Sequence, residues 1–208
     1  MTTVANDLFA LVMQDLDDAN AIRTPDAALF LRHATRAQQW VSLRYRLLRE
    51  TFPLSLYTNT PVYALSATHP RLVMVTHMTL SNGTPLWPIP LISLRYKDTA
   101  WFATTGATAT LFYRAGWRYV GIYPVPSANA AATLTGVLLP ATLTDMSSPL
   151  QIPDSYAPRL TLVTAGLLLL SRERRYTEGL ARIATGLGLR APAQQSPVAQ
   201  KEGVGVSG

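Results

Sequence analysis

Residues 121–136, GIYPVPSANAAATLTG, decide how the middle of the chain folds. The stretch begins as a strand, is broken by Pro124 and Pro126, continues through small residues, and becomes strand-like again at Thr133. A proline has no backbone N–H to give to a sheet, so it separates one strand from the next. The side chains between the two strands are not typical of catalysis or metal binding. We therefore expect a slim connection that passes close to a neighbouring surface.

A hairpin is expected before this stretch, at residues 72–89. Residues 72–80 are apolar and β-branched, and Asn82-Gly83 is typical of a tight turn because both residues tolerate positive φ. The return strand at 86–89 contains or adjoins three prolines, which predicts a position at the edge of the sheet.

A second hairpin is predicted from the strands 108–114 and 117–123, which are joined at Ala115-Gly116. The stretch 121–136 then leads from this hairpin to a last strand at 133–139. Together, the two hairpins and the last strand predict a small antiparallel sheet.

Helical patterns surround the predicted sheet. Residues 3–16 repeat apolar side chains every three or four positions, which predicts an amphipathic helix. The motif TPD at 24–26 is typical of a helix start, and this second helix is expected to run to about Thr51 and to stop before Pro53. Residues 153–187 predict one long apolar helix that must be covered on more than one side.

The fold predicted from this order is α+β. It consists of a helical bundle, with two N-terminal helices and a long C-terminal helix, an inserted small antiparallel β-sheet, and an extended C-terminal tail. Residues 1–56 and 150–190 would form the helical domain, and residues 57–149 the β-rich domain. Residues 191–208, APAQQSPVAQKEGVGVSG, have the composition of a flexible tail.

The most apolar window, LTLVTAGLLLL at 160–170, is too short for a membrane span. A helix of this length is about 16 Å long, roughly half the thickness of a bilayer core. We therefore expect a buried core helix, in which Gly166 allows a close approach to another element, and no contact with a membrane.

Composition and motifs argue against several kinds of site. The chain has no cysteine, so it has no disulfide and no thiolate metal site. His33, His69 and His77 lack the spacing of a zinc site, and the acidic stretch at 15–18 lacks the glycine and glutamate of a calcium loop. The sequence also lacks a nucleophile elbow and a phosphate-binding loop. We expect no enzyme activity, no cofactor and no metal.

Arginine supplies most of the positive charge. The net charge is +6, but residues 1–26 carry −4, which leaves +10 on the remainder. Nucleic-acid binding favours a continuous basic strip with exposed aromatic side chains, whereas these arginines are discontinuous on their predicted helix. A protein interface is the better interpretation. The arginines on that helix are Arg32, Arg36, Arg44, Arg46 and Arg49.

The order of the predicted elements resembles the adaptor proteins of tailed bacteriophages, of the short-tailed type, which lie beneath the portal and join it to the tail. The resemblance is carried by WRYVGIYPVP at 117–126, TLTGV at 133–137, LQIP at 150–153 and the apolar helix that follows Tyr156, and it spans roughly residues 1–190. It implies a structural virion protein that is assembled in the host cytoplasm and is not an enzyme.

Proteins of this kind form rings, typically of twelve subunits, with the portal above, the tail nozzle or tail tube below, and DNA passing through the lumen without sequence-specific binding. The resemblance implies that the C-terminal part binds the portal and that two loops contact tail proteins or a neighbouring subunit. The implied portal-binding residues are Tyr176, Arg182, Leu187, Leu189, Arg190, Val198, Lys201, Val204 and Val206. The implied residues for the tail or a neighbouring subunit are Asn82, Gly83, Pro124, Pro126, Asn129 and Ala130.

Two other functions stay open at this point. One is a nucleic-acid-binding module that uses the arginine clusters. The other is a small ligand-binding domain with a pocket in the sheet, although the sequence does not indicate polar residues that would converge on such a pocket.

Overall fold

A computed structural model of the protein describes residues 3–16, 25–65, 69–116, 118–173 and 175–189. These residues form five α-helices: α1 (Ala5–Leu16), α2 (Ala27–Tyr45), α3 (Leu91–Lys97), α4 (Ala157–Leu168) and α5 (Tyr176–Gly186). They also form nine strands: β1 (Arg49–Leu56), β2 (Val62–Ala64), β3 (Leu72–Leu80), β4 (Pro85–Pro88), β5 (Thr105–Gly106), β6 (Leu111–Arg114), β7 (Tyr119–Tyr123), β8 (Val125–Pro126) and β9 (Ala130–Leu138).

Seven of the strands form one sheet in the order β1-β9-β3-β4-β6-β7-β2. Neighbouring strands are antiparallel except β4 and β6, which run parallel. The sheet is curled, and two hydrogen bonds join its ends. The hydroxyl of Tyr63 on β2 accepts the N–H of Tyr57 at 3.0 Å and donates to the carbonyl of Tyr57 at 3.2 Å. Tyr57 directly follows β1, so the first and last strands of the sheet come together.

The curled sheet encloses its own apolar core. Side chains from both ends of the strand order, such as Phe52 on β1 and Tyr63 on β2, belong to one buried cluster. Gly121 on β7 leaves the space that the Tyr113 ring occupies, since a Cβ at this glycine would lie 1.8 Å from the ring carbon that bears the hydroxyl. The buried members of this sheet core are Phe52, Leu56, Tyr63, Leu65, Leu72, Val75, Met78, Leu80, Leu86, Ala109, Phe112, Val120, Ile122, Ala132, Leu134 and Leu138.

The helices α1, α2, α4 and α5 pack around a second core. The segment that follows β9 also contributes to it, through Leu143, Leu150 and Ile152. Gln38 on α2 is fully buried and holds this segment, because its Oε1 accepts the N–H of Gln151 at 2.8 Å. The helical layer therefore rests against the chain that leaves the sheet.

The predicted fold class is wrong in its main feature. The structure is a mixed α+β fold built around a seven-stranded curled sheet with five helices among the described residues, and not a helical bundle with a small inserted sheet. The two predicted hairpins, β3–β4 and β6–β7, are confirmed, and so are helix α1 and the last strand β9. The sheet is larger than expected because strands distant in sequence, β1 and β9, pair along eight residues. The predicted division into domains stays a prediction.

The second helix ends earlier than the predicted end near Thr51. Helix α2 ends at Tyr45, where Arg46 adopts a left-handed conformation with φ of 53°, and β1 follows. Along β1, Phe52 and Leu56 are buried whereas Pro53 is exposed, which is the alternation of a strand. Pro53, whose residue type predicts the end of a helix, is tolerated in β1 because this strand lies at the edge of the sheet order.

The edge position predicted for the proline-rich return strand is also wrong, since β4 lies between β3 and β6. The N–H groups of Trp87 and Ile89 donate to Thr110 and Phe112 at 3.0 and 2.9 Å, on the β6 side. Alternate residues of a strand point their N–H groups to opposite sides, so the prolines at 88 and 90 fall on the β3 side. Pairing with β3 extends only through residues 85 and 86, so these two prolines interrupt no ladder.

The predicted long C-terminal helix is a helical hairpin instead. Helix α4 leads through a π-helical segment, Leu169–Glu173, to α5, which packs back on α4. Gly166 and Gly179 make this close approach, because a Cβ at Gly166 would lie 2.6 Å from the carbonyl oxygen of Gly179. The close approach predicted at Gly166 is confirmed, and the surface that covers the apolar helix comes from the same chain.

Candidate assembly surfaces

Helix α5 and the three residues after it carry the described part of the predicted portal surface. Tyr176 and Leu189 are 58% and 49% exposed, so both side chains are open to a partner. Leu187 is half-buried, and its carbonyl accepts a hydrogen bond from Nε of Arg44 at 3.1 Å. Arg190, Val198, Lys201, Val204 and Val206 lie outside the described residues.

Arg182, the remaining predicted portal residue, is engaged within the chain. Its guanidinium pairs with the carboxylate of Asp15 on α1 and lies 3.3 Å from that of Glu178, one turn earlier on α5. The ion pair with Asp15 joins the two helices and leaves the Arg182 side chain less than a quarter exposed. Arg182 therefore contributes first to the packing of α5 on α1.

The two loops predicted to contact the tail or a neighbouring subunit meet each other. The N–H of Ser81 donates to the carbonyl of Ala131 at 2.9 Å, which joins the β3–β4 turn to β9. Asn82, Pro126 and Ala130 line one cavity of about 150 Å³ at this junction. The structure thus brings parts of both loops to one end of the sheet.

The other predicted loop residues have local roles. Gly83 is exposed with a φ of +85°, the turn conformation that its residue type predicts. The side-chain oxygen of Asn129 accepts the N–H and the hydroxyl of Thr58 at 2.9 and 3.1 Å, which holds the loop before β9 against the chain after β1. Pro124 is half-buried and lies against Gly106, where a Cβ would come within 2.9 Å of the proline ring.

An exposed apolar surface around α3 was missed by the sequence analysis. Trp87, Ile92, Tyr96 and Phe102 are each at least 59% exposed. The sequence does hold a signal for it: LISLRYK follows Pro90, and Ile92 and Tyr96 are spaced as neighbours on one helix face. The three prolines before α3 instead favoured an edge strand.

A second missed feature is a groove between α1 and the start of α4, with a volume of about 570 Å³. Asp7 and Asp154 contribute their carboxylates to the lining of this groove. The Asp7 carboxylate accepts the N–H of Val4 at 3.1 Å, and that of Asp154 accepts the hydroxyl of Thr3 at 2.6 Å. The Thr3 hydroxyl is the main cause that lowers the pKa of Asp154, so this carboxylate is ionised at neutral pH. The groove is lined by Thr3, Asp7, Ala10, Leu11, Gln14, Asp154 and Ala157.

The profile of the SU10 adaptor protein family matches residues 3–200 of this chain. The chain belongs to this family. The resemblance to phage adaptors that the sequence suggested is thereby confirmed. No curated protein matches the chain in sequence. An adaptor of this family is a structural component of the phage virion and associates with portal and tail proteins.

The histidines of this adaptor have separate environments. His33 on α2 is buried without a hydrogen-bond partner among the described residues, and burial, with Arg32 and Arg36 nearby, lowers its pKa. The ring of His69 stacks on Phe52 with centroids 4.0 Å apart, and His77 on β3 is exposed. Within the described ranges, His, Asp and Glu side chains do not gather into a group of three that would hold a metal ion.

The arginines at 32–49 of the adaptor do not share one helix, since Arg49 lies on β1. Arg44 and Arg49 donate to the backbone carbonyls of Leu187 and Arg46, at 3.1 and 3.4 Å. These arginines are thus distributed over α2, β1 and the turn between them. In the part of the adaptor that the structure describes, none of the helices combines the length and the apolar character needed to cross a membrane.

Proposed function

We propose that the protein is a ring-forming adaptor that joins the portal to the tail and surrounds the channel through which DNA leaves the head. The observation that carries this proposal is the match of the adaptor family to residues 3–200, almost the whole chain. Rings of twelve subunits are the form that the resemblance implies, and we propose the same number here. Assembly would take place in the host cytoplasm.

The exposed surfaces support an assembly function. Trp87 on β4 and Tyr96 on α3 are 67% and 85% exposed, and groups of large exposed apolar side chains mark surfaces that a partner covers. A ring with a head-to-tail interface uses two different patches on every subunit, and each patch is repeated around the ring. The protein would then act by binding its partners and holding them in a fixed arrangement.

We assign the portal contact to residues 176–208 and the tail or neighbour contact to the loops 81–84 and 124–132. Tyr176 and Leu189 support the first assignment because both side chains are exposed, one at the start of α5 and one just after its end. The junction of the two loops at one end of the sheet supports the second. DNA would pass through the lumen without sequence-specific contacts.

The mass of the purified protein tests the proposal, measured by native mass spectrometry alone and after mixing with the portal protein of the same phage. We expect a closed oligomer in at least one of the two conditions, seen as rings by electron microscopy. A monomer that does not bind the portal protein would contradict the proposal. DNA binding that falls steeply with salt and prefers one sequence would favour the nucleic-acid-binding module instead.

A further inference from the structure

Helix α3 presents an apolar stripe between two cations. Ile92 and Tyr96 are one turn apart and are 60% and 85% exposed, whereas Leu94 on the opposite side is fully buried. At about 100° per residue, Arg95 and Lys97 lie on either side of the stripe, and both are exposed. The helix itself carries no carboxylate. We call this surface, formed by Ile92, Arg95, Tyr96 and Lys97, the α3 face.

The groove between α1 and the start of α4 has the opposite character. Ala10 and Leu11 form part of its lining, and Leu11 is 41% exposed. Asp7 and Asp154 supply two carboxylates, and none of the described lining residues is basic. The groove contains residues of α1 at positions i, i+3, i+4 and i+7, so it follows one side of that helix for two turns.

We propose that the α3 face of one subunit docks into this groove of the next subunit, with Ile92 and Tyr96 against Leu11 and the cations beside the carboxylates. The two surfaces are complementary in charge, since the cations Arg95 and Lys97 would lie beside the carboxylates of Asp7 and Asp154. Anchors at i and i+4 of a short helix that lie in an apolar groove are a recurring mode of recognition. This inference rests on the proposed ring, for which it names one interface.

The second copy is the occupant that the geometry favours, because the two surfaces differ and lie on the same molecule. A contact between unlike patches is heterologous, and repetition of such a contact closes a ring or continues as a filament. An isologous dimer would instead place α3 faces against each other and would bring Arg95 and Lys97 toward their own copies.

Cysteine cross-linking tests the contact directly, since the natural chain has no cysteine. A chain that carries both Leu11→Cys and Tyr96→Cys, assembled and then mildly oxidised, should give a ladder of covalent dimers, trimers and larger species. Both positions are exposed, so the substitutions leave the cores intact. The matched control carries Leu11→Cys with Thr185→Cys, an exposed position on α5, and should give no ladder.

The cross-linking result can contradict the inference in two ways. A double variant that assembles into rings but gives no ladder would overturn it, and the proposed function would stand. A single Tyr96→Cys variant that forms covalent dimers as efficiently would indicate an isologous contact and would also overturn it. If the natural protein forms no oligomer, alone or with the portal protein, the proposed function and this interface fail together.

A charge-reversal series provides an independent measurement. Arg95→Glu with Lys97→Glu would place four carboxylates together. We expect assembly to require at least about tenfold more protein, because like charges that face each other across an interface oppose association. Adding Ala10→Lys and Gln14→Lys in the same chain should restore assembly. These two positions are exposed and leave the hydrogen bonds of Asp7 and Asp154 in place. Unchanged assembly of the Arg95/Lys97 variant would contradict the proposal.

Discussion

Asp98 holds the loop that follows α3. Its carboxylate accepts the hydroxyl of Thr104 at 2.5 Å, the hydroxyl of Tyr123 at 3.1 Å and the N–H of Ala100 at 2.9 Å. The Thr104 hydroxyl is the largest of the effects that lower the pKa of Asp98 below its ordinary value of 3.8. One carboxylate thus connects the end of α3 to the end of β7, beside the α3 face.

Asp98→Asn should lower the stability of the protein at pH 7, because an amide oxygen can replace only part of the carboxylate's acceptor capacity. The folded pKa lies below the unfolded one, so the ionised group stabilises the fold above the unfolded pKa and loses this effect as the pH falls through the folded pKa. The difference between the two proteins should therefore shrink as the pH falls below about 4.

Urea denaturation from pH 7 to pH 3 measures this effect. Asp26→Asn is the matched control, because Asp26 makes no side-chain capping hydrogen bond. The stability of the protein should therefore change less in this variant than in Asp98→Asn. A difference between natural and Asp98→Asn protein that stays constant across this pH range would show that the charge of Asp98 is not what holds the loop.

At the scale of elements, helices α4 and α5 meet at a backbone contact that leaves no room for an added side chain. The α4–α5 hairpin depends on two facing glycines, since a Cβ at Gly179 would lie 2.8 Å from the carbonyl oxygen of Gly166. Ile183 packs in the same place, within 2.8 Å of a Cβ at Gly166. This contact lets the chain cover the apolar side of α4 with its own next helix.

Gly166→Ala should destabilise the protein although alanine is the better helix former. The added methyl group would push α5 away at a cost of about 1–3 kcal/mol, which exceeds the propensity gain of up to about 1 kcal/mol. Thr177→Ala, at an exposed position of α5, should change the stability by less than about 0.5 kcal/mol. Chemical denaturation followed by circular dichroism compares the variants, and equal stability of Gly166→Ala and the natural protein would refute the close contact.

At the scale of the whole molecule, the described residues form two separate cores. The sheet core extends from Phe52 to Leu138, and the helical core ends with Leu187, which packs against it. Because these cores lie within residues 5–187, we expect the described residues to fold without residues 190–208. Under the proposed function, residues 190–208 form part of the contact with the portal.

Deletion of residues 190–208 should therefore abolish attachment to the portal protein and leave the fold unchanged. Circular dichroism and thermal unfolding check the fold, and co-sedimentation with the portal protein checks the attachment. The full-length chain is the control. If the truncated chain attaches to the portal protein as strongly as the full-length chain, residues 190–208 do not form the portal contact. If the truncated chain does not fold, these residues belong to the core.

Much of the local structure could be predicted because its causes lie within a few residues. The Asn82-Gly83 turn, the alternation along β3 and the apolar period of α1 each follow from short-range geometry. The order of these elements also led to the adaptor family, which the match over residues 3–200 confirms. The two loops that the sequence singled out meet at one end of the sheet, and their contact with a partner stays a prediction; the α3 face was not predicted.

Sequence by itself determined where proline and glycine interrupt the chain and which segments carry apolar faces, since these are properties of single residues and short windows. Only the tertiary structure decided what each apolar face packs against. Strand β1 pairs with β9, about 80 residues later, and α5 returns onto α4 at two glycines. Pairings of this kind depend on the closure of the whole chain, because many partners satisfy a local pattern equally well and only one arrangement buries all the faces at once.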